Sequence, residues 1–137
     1  MTGKITLGVK TMVATAKSQI KEYAAEDAIA RAKDPNVVLV DLRDPRELDR
    51  EGRIPGAFHC PRGMLEFWVD PDSPYFKPVF GEDKEFVLFC AGGLRSALAT
   101  KTVQDMGLKP VAHIVGGFGA WRNAGGPVEP PTRPVGG

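Results

Sequence analysis

Residues 86–115 read FVLFCAGGLRSALATKTVQDMGLKPVAHIV, and this stretch decides the fold. It opens on the apolar run Phe86-Val87-Leu88-Phe89 and closes on Val111-Ala112-His113-Ile114-Val115. Continuous rather than alternating apolar character is the mark of a strand covered on both faces. Between the runs, Leu98, Ala99, Thr102, Val103 and Met106 fall on one face at helical spacing, and Gly107 stands where a C-terminal cap belongs. Strand, helix and strand within about 30 residues make a βαβ unit with a parallel pairing. The class is therefore α/β, a mostly parallel sheet covered by helices.

Working outward, Val37-Val38-Leu39-Val40 is a third strand of the same buried kind. Glu26 to Lys33 reads as a helix, and Ile20 to Tyr23 as a short extra strand. Arg43 to Lys84 is too apolar for a solvated linker, with Met64, Leu65, Phe67, Trp68, Tyr75 and Phe76 in it. Short helical turns over the sheet, punctuated by Pro71, Pro74 and Pro78, are expected there. Leu7, Met12, Val13 and Ala16 can line one face of a helix, so residues 1–19 are expected to be partly helical or disordered. The Pro- and Gly-rich end, with residues 129–137 in it, reads as a disordered tail.

A length of 137 residues suits one ordinary domain, and 42% hydrophobic with 26% charged residues is the balance of a globular protein. A formal net charge of +1 disfavours nucleic acid as the main partner. No apolar run approaches the roughly 20 residues of a membrane span. Lys4, Lys10 and Lys17 interrupt the first twenty residues in a way that a signal peptide does not. Cys60 and Cys90, with only His59 and His113 to assist, are too few for a disulfide scaffold or a closed zinc site. The expected compartment is a reducing one, the cytoplasm.

Cys90 ends the second strand and is followed by Ala91-Gly92-Gly93-Leu94-Arg95-Ser96, which opens the helix. Ligands of parallel α/β sheets bind beyond the carboxyl ends of the strands. The two glycines permit a tight turn with N–H groups pointing inward around the sulfur. The helix N-terminus and the guanidinium of Arg95 add positive charge at the same point. All three favour a thiolate, so Cys90 is expected to be a nucleophile in an anion cradle rather than merely a buried thiol.

Cys90-x4-Arg95-Ser96 resembles the active-site loop of rhodanese-like sulfurtransferases. Three further segments agree with that family's pattern: Asp41-Leu42-Arg43, Gly52-Arg53-Ile54-Pro55-Gly56-Ala57-Phe58-His59, and Gly116-Gly117-Phe118-Gly119-Ala120-Trp121 with Ala124-Gly125-Gly126-Pro127-Val128. The resemblance covers residues 20–128 and implies a single rhodanese-like domain whose central, mostly parallel sheet has about five strands with helices on both faces. It also implies sulfane sulfur transfer without a metal or organic cofactor, in which Cys90 takes sulfur from thiosulfate or another persulfide and passes it to cyanide or a thiol. The acceptor thiol can be a protein or a small molecule. Arg95 would hold the donor, and the backbone of Ala91, Gly92, Gly93, Leu94, Arg95 and Ser96 would surround the transferred sulfur.

Three roles are open to Asp41 and Arg43: pairing with each other, bracing loops, or facing the site, with bracing preferred. Gly56 and Gly117 are expected at special backbone angles, Trp121 in the core, and His59 and Cys60 in structural roles. A resolving role for Cys60 requires it to lie close to Cys90. Ala91 to Leu94 are uncharged, whereas thiosulfate-using members often carry a basic residue there, which disfavours thiosulfate as donor. Cysteine phosphatases of related design place five residues between Cys and Arg, against four here; they, arsenate reductases and non-enzymatic binding modules are the rival readings.

Overall fold

The computed structural model describes residues 3–131. Its elements in chain order are α1 (Val9–Gln19), β1 (Lys21–Tyr23), α2 (Ala25–Arg31), β2 (Val37–Asp41), α3 (Pro45–Glu51), β3 (Phe58–His59), α4 (Leu65–Val69), β4 (Glu85–Phe89), α5 (Leu94–Met106), β5 (Val111–Ile114) and α6 (Gly117–Asn123). Two 3-10 turns, Arg62–Met64 and Pro78–Gly81, flank α4. The five strands form one sheet in the order β1-β5-β4-β2-β3, and every pairing in it is parallel.

The apolar runs are buried on both faces, as their composition requires. Phe86 and Leu88 of β4 join Val40, Leu65, Val69, Ala99 and Val103 in the core beneath α4 and α5. Val87 and Phe89, one residue out of step, join Leu39, Ala25, Ala28, Phe118 and Trp121 beneath α2 and α6. A strand's alternate side chains point to opposite faces, so a run without polar interruption fills two cores at once. The expected α/β architecture, with about five strands and helices on both faces, is the one found.

Several details differ from the sequence reading. The segment 43–84 holds helical turns as expected, but also β3, an edge strand too short to show any periodicity. At its start, Asp44 caps α3 by accepting from the Arg46 N–H at 2.8 Å, while Glu47 Oε2 accepts from the Asp44 N–H at 2.8 Å. Pro45 occupies the first helical position, so Asp-Pro-Arg-Glu is a complete helix-start signal. Helix α5 buries Ser96, Ala97, Ala99, Thr100 and Val103, whereas Met106, read as core-facing, is exposed. Leu98 and Thr102 instead line a groove beside Met12 and Ala16 of α1, which packs against α5. In the segment read as disordered from residue 129, Glu129 forms an antiparallel bridge with Arg53; residues 132–137 lie outside the described residues.

Candidate active site

Cys90 follows the last residue of β4, the middle strand of the sheet, and is buried. The chain then turns through Gly93 at φ +102° into α5. A side chain at Gly93 would strain that angle, and its Cβ would meet the Gly116 nitrogen at 3.1 Å. The turn aims the N–H groups of Gly93 and Ser96 at Cys90 Sγ, at 3.2 and 3.4 Å, and Ser96 Oγ lies 3.6 Å from the same sulfur. Ala91, Gly92 and Leu94 are exposed on the outer side of the loop. Of the backbone N–H groups read as the cradle, those of Gly93 and Ser96 are therefore the ones that reach the sulfur, and the Arg95 side chain interacts with Cys90 as well.

The loop is held from behind by the first turn of α6. Phe118 N–H donates to the Cys90 carbonyl at 2.8 Å, and Gly119 N–H to the Ala91 carbonyl at 3.1 Å. Gly117 sits at φ +61°, and a Cβ on it would fall 2.3 Å from the Cys90 carbonyl oxygen. The special angle expected at Gly117 is thus present, with close backbone contact as its second cause; Gly56 likewise has a positive φ, +78°.

Arg95 projects beside the loop and is held by Glu47 in a two-pronged ion pair, Nη1 to Oε2 at 2.9 Å and Nη2 to Oε1 at 3.0 Å. The Arg95 guanidinium, with the Asp44 N–H, holds the Glu47 carboxyl below the usual carboxylate range despite partial burial. Glu47 was not singled out from the sequence, although the capping pattern places it at the third position of α3 and so near the strand ends.

Asp41 and Arg43 pair with each other at 2.8 Å and are both buried. Arg43 also donates to the Gly52 carbonyl at 2.9 Å and lies over the Phe118 ring at 4.1 Å. Pairing and bracing are therefore realised together. His59 donates from Nε2 to the Arg43 carbonyl at 2.7 Å, and Trp121 is buried with its Nε1 donating to the Pro127 carbonyl at 2.9 Å.

Cys60 lies far from Cys90. Asp41 pairs with His59 on one side and Phe89 on the other, so the two cysteines, each one residue further on, stand two strand spacings apart, about 10 Å. A disulfide needs Cα atoms within about 7 Å. Burial pushes the Cys60 thiol up to about 12.

A row of polar side chains extends from the other side of Ser96. Ser96 Oγ is 2.8 Å from His113 Nδ1, His113 Nε2 is 2.8 Å from Glu22 Oε2, and Lys17 Nζ is 2.7 Å from that same oxygen. Burial lowers the His113 imidazole pKa against the opposing pull of Glu22. Burial also opposes ionisation of Glu22, but the hydrogen bonds from Lys17 and His113 outweigh it and hold the carboxyl low. The signal in the sequence was His113 itself, a polar residue inside a strand apolar on both sides, which must find partners when buried.

The family model for the rhodanese-like domain matches residues 24–124. The chain belongs to the rhodanese-like domain family. A sulfurtransferase of Allochromatium vinosum is 29% identical over 113 residues, covering 82% of this chain and 97% of that one. A solved structure from Rhodopseudomonas palustris, described as a protein of unknown function and possible tyrosine phosphatase, is 65% identical with a TM-score of 0.90; the match covers 94% of this rhodanese-like chain and 99% of that chain. The polysulfide-sulfur transferase homodimer of Wolinella succinogenes is 30% identical with a TM-score of 0.67, over 88% of this chain and 85% of that one. Among the described residues of this rhodanese-like domain, no helix is long and apolar enough to cross a membrane, and no group of three His, Cys, Asp or Glu residues is placed to hold a metal ion.

Proposed function

We propose that this rhodanese-like domain carries sulfane sulfur on Cys90. The observation that carries the reading is the pair of N–H groups, from Gly93 and Ser96, directed at Sγ from the mouth of a parallel sheet. Fixed N–H donors favour negative charge on the atom they face, first the attacking thiolate and then the persulfide. The Cys90 thiolate attacks the outer sulfur of the donor, an S–S bond forms to it, and the donor leaves with the electrons of the bond that breaks. From thiosulfate the leaving group is sulfite; from a polysulfide it is a shortened polysulfide. Cyanide or a thiolate then takes the outer sulfur and returns Cys90 to thiolate. No redox partner is needed, because the electrons balance in each displacement.

Arg95 bears on the choice of donor. It is the one cation of the loop, and both prongs of its guanidinium are already held by Glu47. A thiosulfate dianion has to displace that carboxylate, whereas a persulfide or polysulfide donor does not. The donor we favour is therefore a persulfide or polysulfide, and the likeness to a polysulfide-sulfur transferase agrees. The exposed residues Ala91, Gly92 and Leu94 would form the lip over which donor and acceptor arrive, either of them a small molecule or a protein thiol.

Intact-mass spectrometry tests the reading. Incubation with polysulfide should add the mass of one sulfur atom, cyanide should remove it as thiocyanate, and Cys90→Ser should take up none. Thiosulfate should load the protein less completely at equal concentration. No loading from any donor, with hydrolysis of p-nitrophenyl phosphate, would overturn it in favour of a cysteine phosphatase. Neither loading nor hydrolysis would leave a binding module.

A further inference from the structure

The polar row behind Ser96 has a proton arithmetic of its own. Ser96 and His113 are fully buried, and Glu22 reaches the surface beside Lys17. Glu22 and His113 are direct partners in the β1–β5 register, so the contact is built into the strand pairing. A carboxylate oxygen only accepts; His113 therefore carries a proton on Nε2, donated to Glu22. With a neutral ring, Nδ1 is an acceptor and takes the Ser96 hydroxyl proton. Ser96 Oγ is then left to accept from the Cys90 S–H, and every group is satisfied.

The same row also accommodates a thiolate. A Cys90 thiolate has no proton to give, and the Ser96 hydroxyl becomes a third donor to the sulfur, beside the N–H groups of Gly93 and Ser96, by turning its proton toward it. Ser96 Oγ then faces His113 Nδ1 with a lone pair, and the 2.8 Å contact is a hydrogen bond only if Nδ1 carries a proton. We propose that His113, acting through Ser96, takes up the proton of the Cys90 thiol and is the positioning residue that keeps the sulfur ionised. The S–H bond breaks as an O–H bond forms at Ser96, and the former Ser96 O–H bond breaks as an N–H bond forms at Nδ1. A neutral thiol and neutral imidazole become a thiolate and an imidazolium, with no proton gained or lost overall. Against the burial that lowers its pKa, the imidazolium has two opposing charges, Glu22 at Nε2 and the Cys90 thiolate through Ser96.

This rests on the reading of Cys90 as the attacking nucleophile. The groups that face His113 among the described residues are Glu22 from β1, Lys17 of α1 behind it, and Cys90 of the loop after β4 through Ser96 of α5. Sulfur transfer as proposed begins and ends on a thiolate, so the proton rests on His113 throughout the cycle. The relay sets the resting charge of the site and does not turn over.

Long-range proton–nitrogen NMR of the two histidine rings at pH 7 tests the inference, with His113→Asn used to assign the signals. The wild type should show His113 protonated on both ring nitrogens, and Cys90→Ser should show a neutral ring with its proton on Nε2. The same ring state in both proteins, neutral or charged, would overturn the relay. In parallel, iodoacetamide alkylation of Cys90 at pH 7 should slow about tenfold in Glu22→Gln and in Ser96→Ala, the scale of one lost charge-assisted hydrogen bond. Ser96→Thr, which keeps a hydroxyl, should recover most of the rate. Unchanged alkylation in Glu22→Gln and Ser96→Ala would likewise overturn it. Neither measurement uses a sulfur donor, so a failed relay and a failed transfer reading give different results: the first leaves persulfide loading intact, the second leaves the NMR difference intact.

Discussion

Cys60 and Cys90 stand at the same height in one sheet, two strands apart, and both are buried. Their surroundings diverge in the next residue. Pro61 follows Cys60 and has no N–H to offer, and the contact at Cys60 Sγ is with the Pro61 carbonyl at 3.9 Å. Leu65, Val69 and Phe80 share its cluster, and burial pushes this thiol up to about 12, only partly offset by the charge of Arg62. Cys90 is followed by a turn that brings back two N–H groups and a hydroxyl. The contrast teaches that burial does not decide what a thiol does. The supply of fixed donors decides it, and that supply depends on whether the chain can turn back over the sulfur.

The largest expected effect breaks the comparison at its centre. Cys90→Ser should lower sulfur transfer by about 10³ or more, since an alcohol replaces the nucleophile. Cys60→Ser should retain most turnover while costing about 1–3 kcal/mol of stability for a buried hydroxyl, read from denaturant melts. A comparable loss of turnover in folded Cys60→Ser would erase the distinction between the two sites.

Next comes the turn. Gly93→Ala forces a Cβ onto a backbone at φ +102°, a strain of about 1–3 kcal/mol. Relief of that strain must move the N–H that faces the sulfur, so turnover should fall roughly five- to 150-fold by conversion of that energy. A variant that melts like the wild type and turns over equally would show that the turn is not what separates Cys90 from Cys60.

Arg95 sharpens the comparison from the donor side. Arg95→Ala should raise KM for thiosulfate roughly tenfold, with a smaller effect on kcat, because a charge-assisted ground-state contact is lost. Glu47→Gln should lower that KM, since the guanidinium is freed of its carboxylate. Steady-state kinetics with thiosulfate varied at fixed cyanide reads both, and an unchanged KM in Arg95→Ala would remove the donor-binding role.

The smallest effect is an expected absence of reaction. A thiol raised to about 12 is overwhelmingly protonated at pH 9. Peptide mapping after iodoacetamide at pH 9 should find Cys60 unmodified in the folded protein and modified after guanidinium unfolding. Modification of native Cys60 at the rate of Cys90 would contradict its burial in the core.

What was legible in the sequence tracks the range over which each signal acts. The β4–loop–α5–β5 unit announces itself because strands buried on both faces must be continuously apolar and the helix cap needs Gly107. Cys90 and Arg95 were readable because loop and helix start are contiguous. Strand β3 was not, since two residues carry no period, and its identity depends on pairing with β2. Asp44-Pro45-Arg46-Glu47 held a usable signal for helix α3 that went unread, and nothing local in it encodes the reach of Glu47 to Arg95. The Glu22–His113 contact joins residues 91 positions apart; only the register of β1 on β5 brings them together, and no local pattern encodes a register.

The seat of the Cys90 loop on α6 bears on protein engineering. Cys90 and Ala91 give their carbonyls to the N–H groups of Phe118 and Gly119, and in a planar trans peptide the N–H points opposite to its carbonyl. The orientation of the loop is therefore partly written 28 residues downstream, at Phe118 and Gly119, where Gly117 lets α6 come within touching distance of the strand end. A transplant of residues 90–96 alone into a foreign α/β scaffold would carry the cysteine and the arginine but leave those two carbonyls free to rotate. The smallest portable unit is the loop together with Gly116 to Gly119, and a chimera should be judged first on whether that second segment keeps its contact.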